Sequence, residues 1–129
     1  METENRPDPR QDNWKKSKSK NKVERVLDGK VVQENFSGPG LVGKSWSVYD
    51  PTAKLWRQTW VDNQSDYISL TGKWEGDKMV LNSIPQNAGA KVHRMVFQDI
   101  TPNSFLWKWE VQMTDGNWGA MFVCHYKRV

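Results

Sequence analysis

The sequence predicts an all-β protein folded as an antiparallel up-and-down barrel, and three observations predict it. From Lys22 to Lys127, apolar and polar residues alternate with period two, which places successive side chains on opposite faces of a strand. Runs of turn-forming residues interrupt the alternation at near-regular intervals. No ten-residue segment has the 3.6-residue period of an amphipathic helix, and there is no βαβ rhythm. A meander of short antiparallel strands removes its exposed edges most cheaply by closing on itself, which favours a barrel over a sandwich.

Taken in order, residues 1–21 are polar and charged, with two prolines, and read as a disordered basic tail. Residues 22–129 form the barrel domain. Strands are expected at 22–27, 30–36, 43–49, 54–62, 66–74, 78–84, 91–98, 104–113 and 118–127. The joints are turn chemistry: Asp28-Gly29 suits a two-residue hairpin, and SGPG (37–40), DPTA (50–53), EGD (75–77) and TDGN (114–117) serve the same end.

Charge and composition exclude several function classes. The net charge is +4, but residues 1–22 carry seven Lys/Arg against four Asp/Glu, while the remainder carries twelve against eleven. The basic character therefore belongs to the leader, where residues 14–22 (WKKSKSKNK) hold five Lys and no acid. A near-neutral body offers no basic stripe, so nucleic acid is not an expected partner. No run of eighteen apolar residues exists, so no membrane span is expected. The charged N-terminus lacks the apolar core of a secretory signal. A single cysteine, Cys124, suits a reducing cytoplasm.

The eight Trp are the unusual feature. In KLWRQTWVD (54–62), Trp56, Gln58, Trp60 and Asp62 share one parity. That face has the larger apolar area and should turn inward, carrying Gln58 with it. A buried amide left unpaired costs about 1–3 kcal/mol. Its partner is therefore either Glu34, Arg94 or Tyr126 in a structural network, or a ligand or water in a cavity. In SFLWKWEVQ (104–112), Phe105, Trp107, Trp109 and Val111 form the buried face. In WGAMFVCHYK (118–127) both faces are apolar in the middle. The residues expected to line a pocket are Glu34, Trp56, Gln58, Trp60, Arg94, Trp107, Trp109 and Tyr126. Trp46 and Trp74 belong to the same aromatic set.

Catalytic and cofactor motifs are weak. His93, His125 and Cys124 have no metal-ligand spacing, and no metal or cofactor is expected. No nucleophile elbow or Cys/His signature surrounds Ser45, Ser69 or Cys124. Gly38 to Ser45 formally matches the phosphate-loop pattern, but such a loop must open a helix, and the strand-like SWSVYD follows instead. Glu34 or Asp62 would be the general base if the protein were an enzyme. A Glu34–Arg94 ion pair would explain an inward Glu34 without catalysis.

The stretches VLDGKVVQENF (26–36), GKSWSVYDPTAKLWRQTWVDNQSDYISLTGKWEGDKMVL (43–81), with its W-R-Q-x-W-V-D run, and RMVFQDITPNSFLWKWEVQMTDGNW (94–118) resemble a bacterial lipocalin-like family of unknown function, the domain numbered fifteen seventy-nine. The resemblance covers about residues 22–128. It implies a calycin-type barrel with the Trp, Gln and Asp of the W-R-Q-x-W-V-D run near the cavity. An aromatic-rich N-terminal strand usual in that family is not evident in RQDNWKKSKSKNK (10–22). Its loss would leave a barrel edge open, and a homodimer closing across that edge is an expectation. The expected role is binding of a small, partly apolar ligand inside the barrel. The alternatives are an enzyme using a barrel carboxylate, or an interaction module using the open edge.

Overall fold

A computed structural model describes residues 1–85 and 87–128. Eleven antiparallel strands follow in chain order: β1 (Glu2–Asn5), β2 (Lys15–Lys18), β3 (Lys20–Val26), β4 (Val31–Gly38), β5 (Leu41–Asp50) and β6 (Leu55–Asp62). Then come β7 (Tyr67–Glu75), β8 (Lys78–Ser83), β9 (His93–Gln98), β10 (Ser104–Gln112) and β11 (Trp118–Lys127). No helix occurs among the described residues. Each strand from β3 to β11 pairs with its sequence neighbours, as an up-and-down meander requires.

The first 21 residues differ from the expected disordered tail. β1 pairs with β11, placing Thr3 beside Cys124, and β2 folds back on β1. Only Ser19 separates β2 from β3, so the two edges of the sheet are consecutive stretches of chain. The barrel is thus nearly closed, with one seam between β3 and the β1–β11 side that no ladder spans. Side chains and the terminus bridge it instead. Thr3 Oγ1 donates to Ser19 Oγ at 2.8 Å, the N-terminal ammonium donates to the Ser19 carbonyl at 2.9 Å, and Asn21 Nδ2 donates to Tyr126 Oη at 2.9 Å. Composition misleads here because polar chain gains order from backbone pairing to an available edge, not from burying apolar surface. The edge that motivated a homodimer is occupied by the protein's own β1.

Turn chemistry acts much as expected. At the β3–β4 turn Leu27, Asp28 and Gly29 all have positive φ (52°, 60° and 74°), so the left-handed stretch is one residue longer than a two-residue hairpin. Gly38 to Ser45 spans the β4–β5 hairpin, which excludes the phosphate-loop reading.

The interior follows strand parity. Leu70, Leu81 and Met95 are its buried centre, with Trp56, Ile68, Met79, Phe97, Trp107 and Trp109 packed around them. Each such side chain taken from water contributes about 1.5–3 kcal/mol. One bulge changes the expected faces of β11: Phe122 opposes Trp109 while Ala120 opposes Glu110, leaving Met121 as the extra residue. Phe122, Cys124 and Tyr126 stay on the inner face, but Trp118 and Ala120 go to the outer one. This resolves a strand apolar on both sides.

Candidate ligand cavity

The cavity is built by three neighbouring strands with large, small and large residues on their inner faces. On β4, Glu34 and Phe36 point inward. On β6, Trp60 and Asp62 do. Between them β5 offers Ser45, opposite both Glu34 and Trp60, and Gly43, opposite both Phe36 and Asp62, with Leu41 lining the cavity beyond them. The small middle row leaves a hollow. Trp107 and Trp109 of β10, with Phe122 and Tyr126 of β11, form the facing wall. The cavity, open at its mouth, has a volume of about 220 Å³.

Glu34 is the polar hub. Its Oε1 accepts from Ser45 Oγ at 2.8 Å and from Gln58 Nε2 at 3.5 Å, and its Oε2 accepts from Asn21 Nδ2 at 2.7 Å. Gln58 also donates to Ser47 Oγ at 2.9 Å. Its own Oε1 is buried with no partner among the described residues. Burial and the nearby Glu34 charge push the Tyr126 phenol well above its usual range, so it stays protonated. Burial likewise pushes the Cys124 thiol up to about 12.

At the mouth, Trp60 Nε1 donates to Asp62 Oδ2 at 2.7 Å. Burial draws Asp62 upward, but hydrogen bonds from Trp60 and the Gln64 and Asp66 amides outweigh it and hold the carboxyl below its ordinary range. Asp66 is pushed up by burial and by the Asp62 charge. Edge-to-face contacts fix the walls: Phe36 lies 6.1 Å from Trp60, and Phe122 lies 6.4 Å from Phe36 and 6.0 Å from Trp107.

Of the eight residues expected at a pocket, Glu34, Trp60, Trp107, Trp109 and Tyr126 line this cavity. Gln58 lies behind it as a partner of Glu34, and Trp56 packs into the core. Arg94 is a correction. Met95 and Phe97 take the inner face of β9, so Arg94 points outward, where its Nε is 2.7 Å from Glu110 Oε1 and its guanidinium lies 4.2 Å over the Trp118 ring. The Glu34–Arg94 ion pair therefore does not form. Trp46 and Trp74 are corrections too: they are exposed, and Trp46 Nε1 donates to Gln33 on the outer face.

Sequence reasoning missed Asn21, Phe36, Asp66, Phe122 and Cys124 as wall residues. Parity could have found Phe36 from Glu34, and Phe122 and Cys124 from Tyr126. Asn21 had a signal as well. In Lys16-Ser17-Lys18-Ser19-Lys20-Asn21-Lys22 the alternation is strict, with every even Lys exposed. That is a strand with small polar residues inside, not a charge run.

The other end of the barrel is covered by the segment between β1 and β2. Pro9 lies against Gly119, and Arg6 Nε donates to the Ala120 carbonyl at 2.8 Å. His93 stacks on Trp109 with centroids 5.0 Å apart. Burial and the Lys91 charge hold its imidazole below the ordinary value. Among the described residues, no group of three His, Cys, Asp or Glu is placed to hold a metal ion. Among the described residues no helix is long and apolar enough to cross a membrane.

Fold and cavity together define an antiparallel β-barrel with an aromatic-walled interior that holds a half-buried carboxylate. The chain belongs to a protein family of unknown function (DUF1579), whose sequence profile matches residues 1–128. That span takes in β1 and β2, in agreement with their place in the barrel wall. No curated protein matches the chain.

Proposed function

We propose that this protein binds a small, partly apolar ligand non-covalently inside the barrel, in the manner of lipocalin-like proteins of the calycin class. The carrying observation is the 220 Å³ hollow walled by Trp60, Trp107, Trp109 and Phe122 and floored by the Glu34 network. A cavity of roughly 150 Å³ accepts benzene, so a ligand of one or two rings fits. Trp60, Trp107 and Trp109 supply flat contact, and Glu34, Asn21 and Tyr126 orient a polar end. In this reading the protein works in a reducing cytoplasm with Cys124 as a thiol.

The test is native mass spectrometry of gently purified protein against its denatured mass. We expect an additional mass of small-molecule size that is lost on denaturation, and lost also from Trp107→Ala. Apo protein alone, with no small aromatic probe altering its tryptophan fluorescence, would refute the reading. One observation favours an enzyme as the second reading: Asp62 and Asp66 are adjacent carboxyls whose affinities for a proton are driven apart, as in an acid–base pair. Asp62→Asn would then abolish turnover and spare binding.

A further inference from the structure

The sign of the cavity is opposite to that of the protein. The chain carries +4 overall, and Lys16, Lys18, Lys20 and Lys22 stand exposed on its outer surface. Among the described residues, those lining the cavity include three carboxylates, Glu34, Asp62 and Asp66, and no Lys, Arg or His. A carboxylate partly withdrawn from water, as half-buried Glu34 is, gains from a cation or a full set of hydrogen bonds. Glu34 has neither. Its three donors, Asn21, Ser45 and Gln58, are all neutral. An ionised carboxylate presents about four lone-pair positions, so one remains open, on Oε2.

The neighbouring polar atoms repeat the pattern. Gln58, only 4 % exposed, holds an unpartnered acceptor in Oε1. Asp62 accepts and does not donate. The aromatic walls add to this, because ring faces carry negative potential and attract cations lying over them. The β4–β5–β6 wall sets the two features side by side. Glu34 and Asp62 lie on one diagonal and Phe36 and Trp60 on the other, around Ser45 and Gly43. An anionic ligand would meet like charge with no basic side chain to pair it. A neutral apolar ligand would fit the walls but leave Glu34 uncompensated.

We propose that the cavity is selective for a small organic cation: a one- or two-ring molecule bearing a protonated amine that donates to Glu34 Oε2 while its ring lies against Trp60 and Trp107. This rests on the reading of the hollow as a ligand site and names the ligand's chemistry.

The experiment is calorimetric titration of the full chain at pH 7 with three probes of matched shape: 2-phenylethylamine, 2-phenylethanol and 3-phenylpropanoate. We expect the amine to bind about ten-fold or more tightly than the alcohol, with no saturable binding of the carboxylate. Glu34→Gln should remove the amine's advantage over the alcohol. Asp62→Asn, at the mouth, should reduce the amine's advantage in part, and it serves if the Glu34 variant does not fold. An alcohol that binds as well as the amine, or an amine whose advantage survives both substitutions, overturns the cation assignment while leaving the ligand site standing. Failure of all three probes to bind at millimolar concentration overturns both.

Discussion

Gly43→Ala tests whether the small row of β5 creates the cavity. A Cβ at residue 43 would stand 2.3 Å from Trp60 Cζ2 and 2.6 Å from Cη2. Carbon atoms in contact sit at about 3.5–4.0 Å, so the indole must retreat by about 1.2 Å or more. Trp60 is not free to do so at no cost, because Nε1 is bound to Asp62 at 2.7 Å and Phe36 meets its edge. Overpacking of this kind costs about 1–3 kcal/mol. Loss of a hydrogen bond to a charged acceptor costs about 1.5–3 kcal/mol when nothing replaces it. The two do not add, since the ring has the cavity to move into and Asp62 lies at the mouth, where water replaces the indole. Alanine also restricts the unfolded chain, which returns about 0.4–1 kcal/mol. The expected net loss is about 1–2 kcal/mol, read as a lower midpoint in urea unfolding followed by tryptophan fluorescence. Binding of 2-phenylethylamine should weaken in the same variant, because Trp60 then occupies the hollow. A variant within about 0.5 kcal/mol of the parent, with unchanged binding, would mean that the Trp60 ring does not rest on Gly43.

Three other outcomes are expected. The depressed affinity of His93 for a proton makes its contribution to stability complete above the unfolded value of about 6.5 and lost as pH falls through and below it. The urea midpoint should therefore drop between pH 7.5 and 5.5, and His93→Phe should drop less; equal slopes would contradict the burial argument. Cys124, raised to about 12, should resist iodoacetamide at pH 8 in the native state by about three orders of magnitude relative to the urea-unfolded chain. Rapid native labelling would show that the thiol is not held behind Thr3. Deleting residues 1–18 removes β1 and β2 and bares the β11 edge. Light scattering should then report dimers or larger species, and a well-behaved monomer would refute the role of β1 as an edge cover.

Strand positions and inner faces were written in the sequence because period two is a local signal. β11 spans the expected 118–127, and the inward set Trp56, Gln58, Trp60 and Asp62 emerges from alternation alone. The need for Gln58 to find a partner was equally legible, since burying an amide carries the same cost in any fold. Three things required the tertiary structure. The order of β1 and β2 comes from an unfilled ladder on β11, more than a hundred residues away in sequence. The exit of Arg94 to the outer surface depends on Glu110 and Trp118 arriving beside it, the latter through a bulge at Met121 that alternation does not reveal. The cavity itself depends on how three strands align. A Glu, a Ser and a Trp are unremarkable singly, and only register places the small residue between the large ones and turns a packed interior into a hollow with a charge in it.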